Sequence, residues 1–121
     1  MWGERLAEKH LAGKGYKIIG RRVRIGLRDE LDLVARDGEV LVFVEVKTRK
    51  SESFGRPFEA VNRDKRQKMS RAAVHYLKRL KYPRLYFRFD VVEVVGEEGD
   101  EAPLIRHIEN AFPLDRRYRL P

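Results

Sequence analysis

The stretch Asp29-Glu30-Leu31-Asp32-Leu33-Val34-Ala35-Arg36-Asp37-Gly38-Glu39-Val40-Leu41-Val42-Phe43-Val44-Glu45-Val46-Lys47 decides how this chain is read. It holds two largely apolar runs, Leu31–Ala35 and the valine-rich Val40–Val46, on either side of Asp37-Gly38. That dipeptide favours a tight hairpin turn. With Asp37 and Gly38 as the central turn residues, Arg36 pairs with Glu39, Asp32 falls opposite Phe43, and Glu30 opposite Glu45. Alternation then places Glu30, Asp32, Phe43, Glu45 and Lys47 on one face. Asp32 and Glu45 become diagonal neighbours, roughly 7–8 Å apart at the backbone. Carboxylates at that spacing can both touch one hard divalent cation. A shift of one residue would send them to opposite faces.

Glu45 is the anomaly of the hairpin. Leu41, Val42, Phe43, Val44 and Val46 cover both faces of a strand that reads as central, and a buried carboxylate without a partner costs several kcal/mol. A cation must meet it, either a metal ion or Lys47 two residues along. A half-exposed Glu45–Lys47 surface pair is the plainer alternative, and it sits poorly with the apolar surroundings. Asp32 and Glu45 are therefore candidate ligands for Mg²⁺ or Mn²⁺. Such an ion can activate water and neutralise charge on a phosphate. Lys47 would orient or help deprotonate that water, or steady the crowded phosphorus. The Val46 carbonyl is a candidate further ligand.

Outward from the hairpin, Gly3 to Gly15 reads as a first helix with Leu6, Ala7 and Leu11 on one stripe. Glu4 lies on or beside that stripe, either as a first-turn charge favoured by the helix dipole or as a group aimed at an internal site. Tyr16 to Ile25 reads as a strand, Ser51 to Val61 as a loop, and Asn62 as the cap of a second helix running to about Leu80, ended by Pro83. Leu85 to Val95 and Leu104 to Ile108 read as strands around a turn at Gly96 to Asp100, with an irregular tail from Asn110. The expected order is α-β-β-β-α-β-β, a mixed central sheet flanked by helices in one α/β domain over residues 1–121.

Net charge is +8 over 121 residues, and its distribution matters more than its total. Residues 61–88 carry 10 basic and 1 acidic side chains, whereas residues 89–121 carry 4 basic and 8 acidic. The basic block suits a phosphate backbone, although a solvated helix face would look the same. Arg63, Arg66, Lys68, Arg71, Lys78 and Arg79 read as an electrostatic track rather than base readers. Lys65 falls on the inward stripe, where it either touches a bound phosphate or snorkels around the helix end. Arg49 follows the hairpin as a further basic candidate. There is no cysteine, which removes thiolate metal sites and thiol nucleophiles, and the 3 histidines are scattered. No membrane span or export signal is evident, so the cytoplasm is the expected compartment.

At these residues the sequence resembles the bacterial YraN-type family. The matching blocks include Gly3-Glu4, Gly15-Tyr16, Glu30 to Val34, Val42 to Arg49, Phe54-Gly55, Glu59-Ala60-Val61, Lys65, Arg88 to Val92, and Asn110-Ala111-Phe112. That family in turn looks like a branch of the PD-(D/E)xK, restriction-endonuclease-like superfamily, close in pattern to archaeal Holliday-junction resolvases. The resemblance implies metal ligation by Asp32 and Glu45, catalytic help from Lys47 and a supporting role for Glu4. Asp29 departs from it, since the family usually has glycine there. The expected function is a Mg²⁺- or Mn²⁺-dependent endonuclease acting on DNA, including branched or structured DNA, with RNA an open substrate. The alternative is a nucleic-acid-binding module with a nuclease fold and no turnover. Junction resolvases make paired cuts as dimers, so the resemblance extends to a homodimer, though the sequence marks no dimer surface.

Overall fold

The computed structural model describes residues 1–51, 61–81 and 85–118. The expected loop around Gly55 and Pro57 and the stop at Pro83 lie outside them. Among the described residues two helices and five strands follow in the anticipated order: α1 (Trp2–Gly13), β1 (Lys17–Ile25), β2 (Asp29–Asp37), β3 (Val40–Arg49), α2 (Arg63–Arg79), β4 (Tyr86–Val95) and β5 (Leu104–Phe112). The strands form one sheet in the order β1-β2-β3-β4-β5. Only β3 and β4 are parallel, because α2 separates them in sequence and carries the chain back across the sheet.

The sheet is buried on both faces. Ala7 and Leu11 of α1 pack with Leu33, Ala35, Val42, Val44, Val92 and Val94. Met69, Ala72, Ala73 and Leu77 of α2 pack with Leu41, Phe43, Phe89 and Val91 on the other side. That explains why β3 and β4 read as near-continuous apolar runs. The α2 layer is aromatic: the Phe43 centroid lies 5.6 Å from Tyr76 and 5.8 Å from Phe89.

Local signals behave as expected at the start of α2. The Asn62 side chain accepts a hydrogen bond from the Lys65 N–H at 2.9 Å. Asn62→Ala is expected to lower stability by about 1 kcal/mol in urea unfolding, with the fold unchanged.

Two expectations need correction. The hairpin turn is centred on Gly38 and Glu39 rather than on Asp37 and Gly38, since Asp37 pairs with Val40. Gly38 takes a φ of 61°, a left-handed conformation that costs glycine little. The register is thus two residues from the expected one. Because side chains alternate with a period of two, no residue changes face on this account. The tail from Asn110 is not irregular at once, since β5 continues to Phe112. The Phe112 ring stacks on Phe89 at 4.8 Å, and the Asn110 N–H donates to Asp90 Oδ1 at 3.0 Å. These tertiary contacts hold the strand beyond its local apolar pattern.

Candidate active site

Pairing between β2 and β3 runs from Asp37↔Val40 to Leu33↔Val44 and stops there. Beyond that point β2 remains paired with β1, and β3 with β4. One further step in the same register would set Asp32 across from Glu45. Instead, Asp32 Oδ2 accepts the Val46 N–H at 2.9 Å, so a side chain replaces the ladder bond.

The alternation of faces also breaks at this point, while the β1–β2 register is kept across it. Leu33 faces the α1 layer while Leu31 faces the α2 layer, although strict alternation would put both on one side. On β1 the residue between the pairs Arg21↔Leu33 and Val23↔Leu31 is Arg22, whose φ is 45°. The irregularity therefore involves both strands, with Asp32 at its centre. Irregularities of this kind re-aim a side chain.

Asp32 is half-buried and Glu45 is buried. Burial pushes the Glu45 carboxyl up to about 8, helped by the hydrogen bond that its protonated form donates to the Asp32 carboxylate and by the Asp32 charge, against the pull of Lys65. Lys65 Nζ lies 3.0 Å from Glu45 Oε2. Burial alone would lower the Lys65 ammonium, but Glu45, with Asp32 and Asp29 beyond it, keeps it above the usual lysine range. Lys65 therefore enters the site rather than snorkelling away. Lys47 is half-buried in an unbroken part of β3, two residues from Glu45 and on the same face. Next to the pair opens a groove of about 270 Å³ lined by Asp32, Glu30, Lys65 and Lys68 among others. Glu30 is exposed at its lip.

The donor set is all oxygen, which suits a hard divalent ion. Two carboxyl groups in hydrogen-bonding contact, with a raised proton affinity on one, are matched by a single close ammonium, so the pair has room for added positive charge. Among the described residues no group of three or more His, Cys, Asp or Glu side chains is placed to hold an ion. Asp32 and Glu45 would therefore hold one together with backbone or solvent oxygen.

Other expected residues are placed differently. The Glu4 carboxylate is held by Arg22, with Nε to Oε2 at 2.8 Å, on the β1 side of the Asp32 irregularity. Arg71 is turned inward, away from the expected track. Its Nε and Nη2 donate to the two oxygens of Asp29 at 2.8 and 2.7 Å. This gives the buried Asp29 a mostly buried partner. Arg49 is also mostly buried and lies 3.4 Å from Glu93 Oε2. Lys68 pairs with Asp64 one turn back at 3.1 Å. Arg63 and Arg66 are exposed on the other flank of α2.

The whole-chain motif pattern now meets comparison with known proteins. The family model described as "Uncharacterised protein family UPF0102" matches residues 3–94. The chain belongs to the UPF0102 family. A UPF0102 protein of Symbiobacterium thermophilum is 49% identical over 111 residues, covering 91% of this chain and 92% of its own. One from Syntrophomonas wolfei subsp. wolfei is 47% identical over 116 residues, covering 93% and 95%. One from Chlorobaculum tepidum is 46% identical over 114 residues, covering 91% and 88%. The UPF0102 match covers Glu4, Asp32, Glu45, Lys47 and Lys65, so the whole candidate site lies inside it. No described helix is long and apolar enough to cross a membrane.

Sequence reasoning passed over two buried acids of this UPF0102 chain, Asp90 and Glu93. The signal that singled out Glu45, one carboxylate in an apolar run, applies equally to Phe89-Asp90-Val91-Val92-Glu93-Val94. Asp90 is met by Arg88 and His107. Glu93 is met in part by Arg49, and its Oε2 makes no hydrogen bond.

Proposed function

We propose that this protein is a metal-dependent nuclease that hydrolyses phosphodiester bonds in DNA. The observation that carries this reading is the contact between Asp32 and Glu45, two carboxyl groups from strands that part beside a groove, with Lys65 3.0 Å from Glu45. A structural salt bridge needs only one of the acids. The resemblance to PD-(D/E)xK nucleases supports the same assignment, with Glu45 and Lys47 at the Glu-x-Lys positions.

Asp32 and Glu45 would hold Mg²⁺ or Mn²⁺, which would supply charge neutralisation at the scissile phosphate and an acidified water. The Val46 N–H fixes one Asp32 oxygen and so the direction of the other. Lys47, half-buried and on the Glu45 face, offers an ammonium to the developing charge on phosphorus oxygens. Lys65, beside Glu45 and on the groove lining, would offer its ammonium to a phosphate held there. Glu4 acts at one remove, through Arg22.

The test is incubation of purified protein with linear, flapped and four-way-junction DNA, and with RNA, in Mg²⁺ or Mn²⁺. Cutting that disappears in EDTA and in Glu45→Gln is expected. Equal product from wild type and Glu45→Gln would end the nuclease reading. Salt-dependent binding without any cutting would favour the silent binding module instead.

A further inference from the structure

The first turns of α2 separate two depressions. Lys65 and Lys68 line the carboxylate groove on one flank. On the other flank Arg63 and Arg66 line a cleft of about 400 Å³, closed by the segment that follows β5 and contributes Arg116. The Asp115 N–H donates to Ser70 Oγ at 2.9 Å, which fastens that segment against α2. Its floor is Phe112, Pro113 and Leu114.

Among the described lining residues the charge of this cleft is unbalanced. Among the described residues the guanidinium groups of Arg63, Arg66 and Arg116 have no hydrogen-bond or ion-pair partner. Asp115, the one acid among the described lining residues, uses Oδ1 to accept the Arg117 N–H at 2.9 Å. Three like charges gathered around one concavity repel one another unless an anion sits between them. Arginine's forked donors match phosphate oxygens in pairs, and the apolar floor suits sugar faces.

We propose that this arginine cleft is a second seat for a nucleic-acid backbone, holding the stretch of strand that flanks the one at the carboxylate groove. The inference deepens the nuclease reading and takes its choice of polyanion from it, because one helix supplies cations to both depressions. An acidic protein segment is the competing occupant. The cleft binds phosphates without reading bases, so it raises affinity equally across sequences.

The experiment is fluorescence anisotropy with short labelled single-stranded and duplex DNA in EDTA, across a salt series. The cleft variant Arg63→Gln/Arg66→Gln/Arg116→Gln is compared with Lys9→Gln/Lys17→Gln/Arg36→Gln, which removes the same charge from exposed positions outside the basic block. The cleft variant is expected to flatten the slope of log affinity against log salt by about 2–3 and to lose roughly tenfold or more in affinity. The dispersed variant is expected to change the slope by less than about 1. Arg116→Gln alone, outside every helix and strand, is expected to remove about one unit of slope and keeps the test open if the triple variant folds poorly. Equal shifts in both triple variants, or no shift in the cleft variant, would overturn the proposal. So would an acidic polypeptide that displaces DNA from the wild type but not from the cleft variant. Binding in EDTA needs no cleavage. A protein that binds through the cleft but never cuts loses the nuclease reading alone, and one that cuts with an unchanged slope loses the cleft alone.

Discussion

Glu45→Gln is expected to cut DNA roughly a hundredfold to a thousandfold more slowly than the wild type, while unfolding at a higher temperature in EDTA at pH 8 to about 9. The two effects share one cause. The Glu45 side chain is buried, and its pKa is pushed up to about 8 by burial first and by Asp32 second. In the unfolded chain the group titrates near 4.5. Between those values the folded protein holds a proton that the unfolded chain does not. Stability is therefore greatest below the lower value and falls as pH rises through the higher one. The fall amounts to a few kcal/mol. Glutamine stays neutral, so the difference between variant and wild type isolates this group from every other titration. Melting temperatures from pH 5 to about 9, in EDTA and in Mn²⁺, measure it. Mn²⁺ is expected to restore the wild type at high pH and to leave the variant unmoved. A variant that is destabilised by the same amount at every pH would mean that Glu45 serves only as the partner of Lys65.

Asp90→Ala is expected to lower stability by about 3–5 kcal/mol, a fall in melting temperature of roughly 10 °C or more. Asp90 is fully buried on the α1 side of the sheet, away from the candidate site. Oδ1 accepts Arg88 Nε at 2.9 Å and the Asn110 N–H at 3.0 Å. Oδ2 lies 2.7 Å from His107 Nε2. Lys14 Nζ donates to His107 Nδ1 at 2.9 Å, so Nε2 carries the ring proton and donates to Asp90. Arg88 Nη2 also donates to the Tyr16 hydroxyl at 2.6 Å, and that hydroxyl donates to Glu109 at 3.0 Å. Removing the carboxylate leaves Arg88 Nε and the His107 Nε2–H buried without their acceptor, while Arg88 keeps Asp37 Oδ2 at 3.2 Å from Nη1. Burial works to raise the Asp90 pKa, but His107, Arg88 and the Asn110 N–H outweigh it and hold the carboxyl below the usual range. A depressed pKa gives stability that is present above the unfolded value and lost as pH falls through the folded one. Wild-type stability should thus decline on acidification below about pH 4, and the variant should show less of that decline. Chemical denaturation at pH 7 and at about pH 3 checks both statements; a cost under about 1 kcal/mol at neutral pH would mean that the network contributes little.

These two acids show how far one rule carries. A carboxylate inside an apolar strand must have a cation, a proton or a donor to meet it, and Glu45, Asp90 and Glu93 all satisfy that description. The sequence does not say which solution each takes. Lys65 and Asp32 reach Glu45 from an element 20 residues later and a strand 13 residues earlier. His107 reaches Asp90 across 17 residues.

What is local was legible. The order of helices and strands follows from apolar periodicity, the start of α2 from the Asn62 cap, and the hairpin from one glycine between two largely apolar runs. The face shared by Phe43, Glu45 and Lys47 follows from alternation alone, because that part of β3 stays regular against β4. Only the folded chain decided the rest. The break in alternation beside Asp32 needs β1 and β2 to distort together at Arg22, with their register kept. Arg71 leaves the basic track because Asp29, 42 residues away, meets it. Composition set the charges of this chain, but the partner of each was fixed by packing that brings distant residues within hydrogen-bond reach, and no local pattern encodes that.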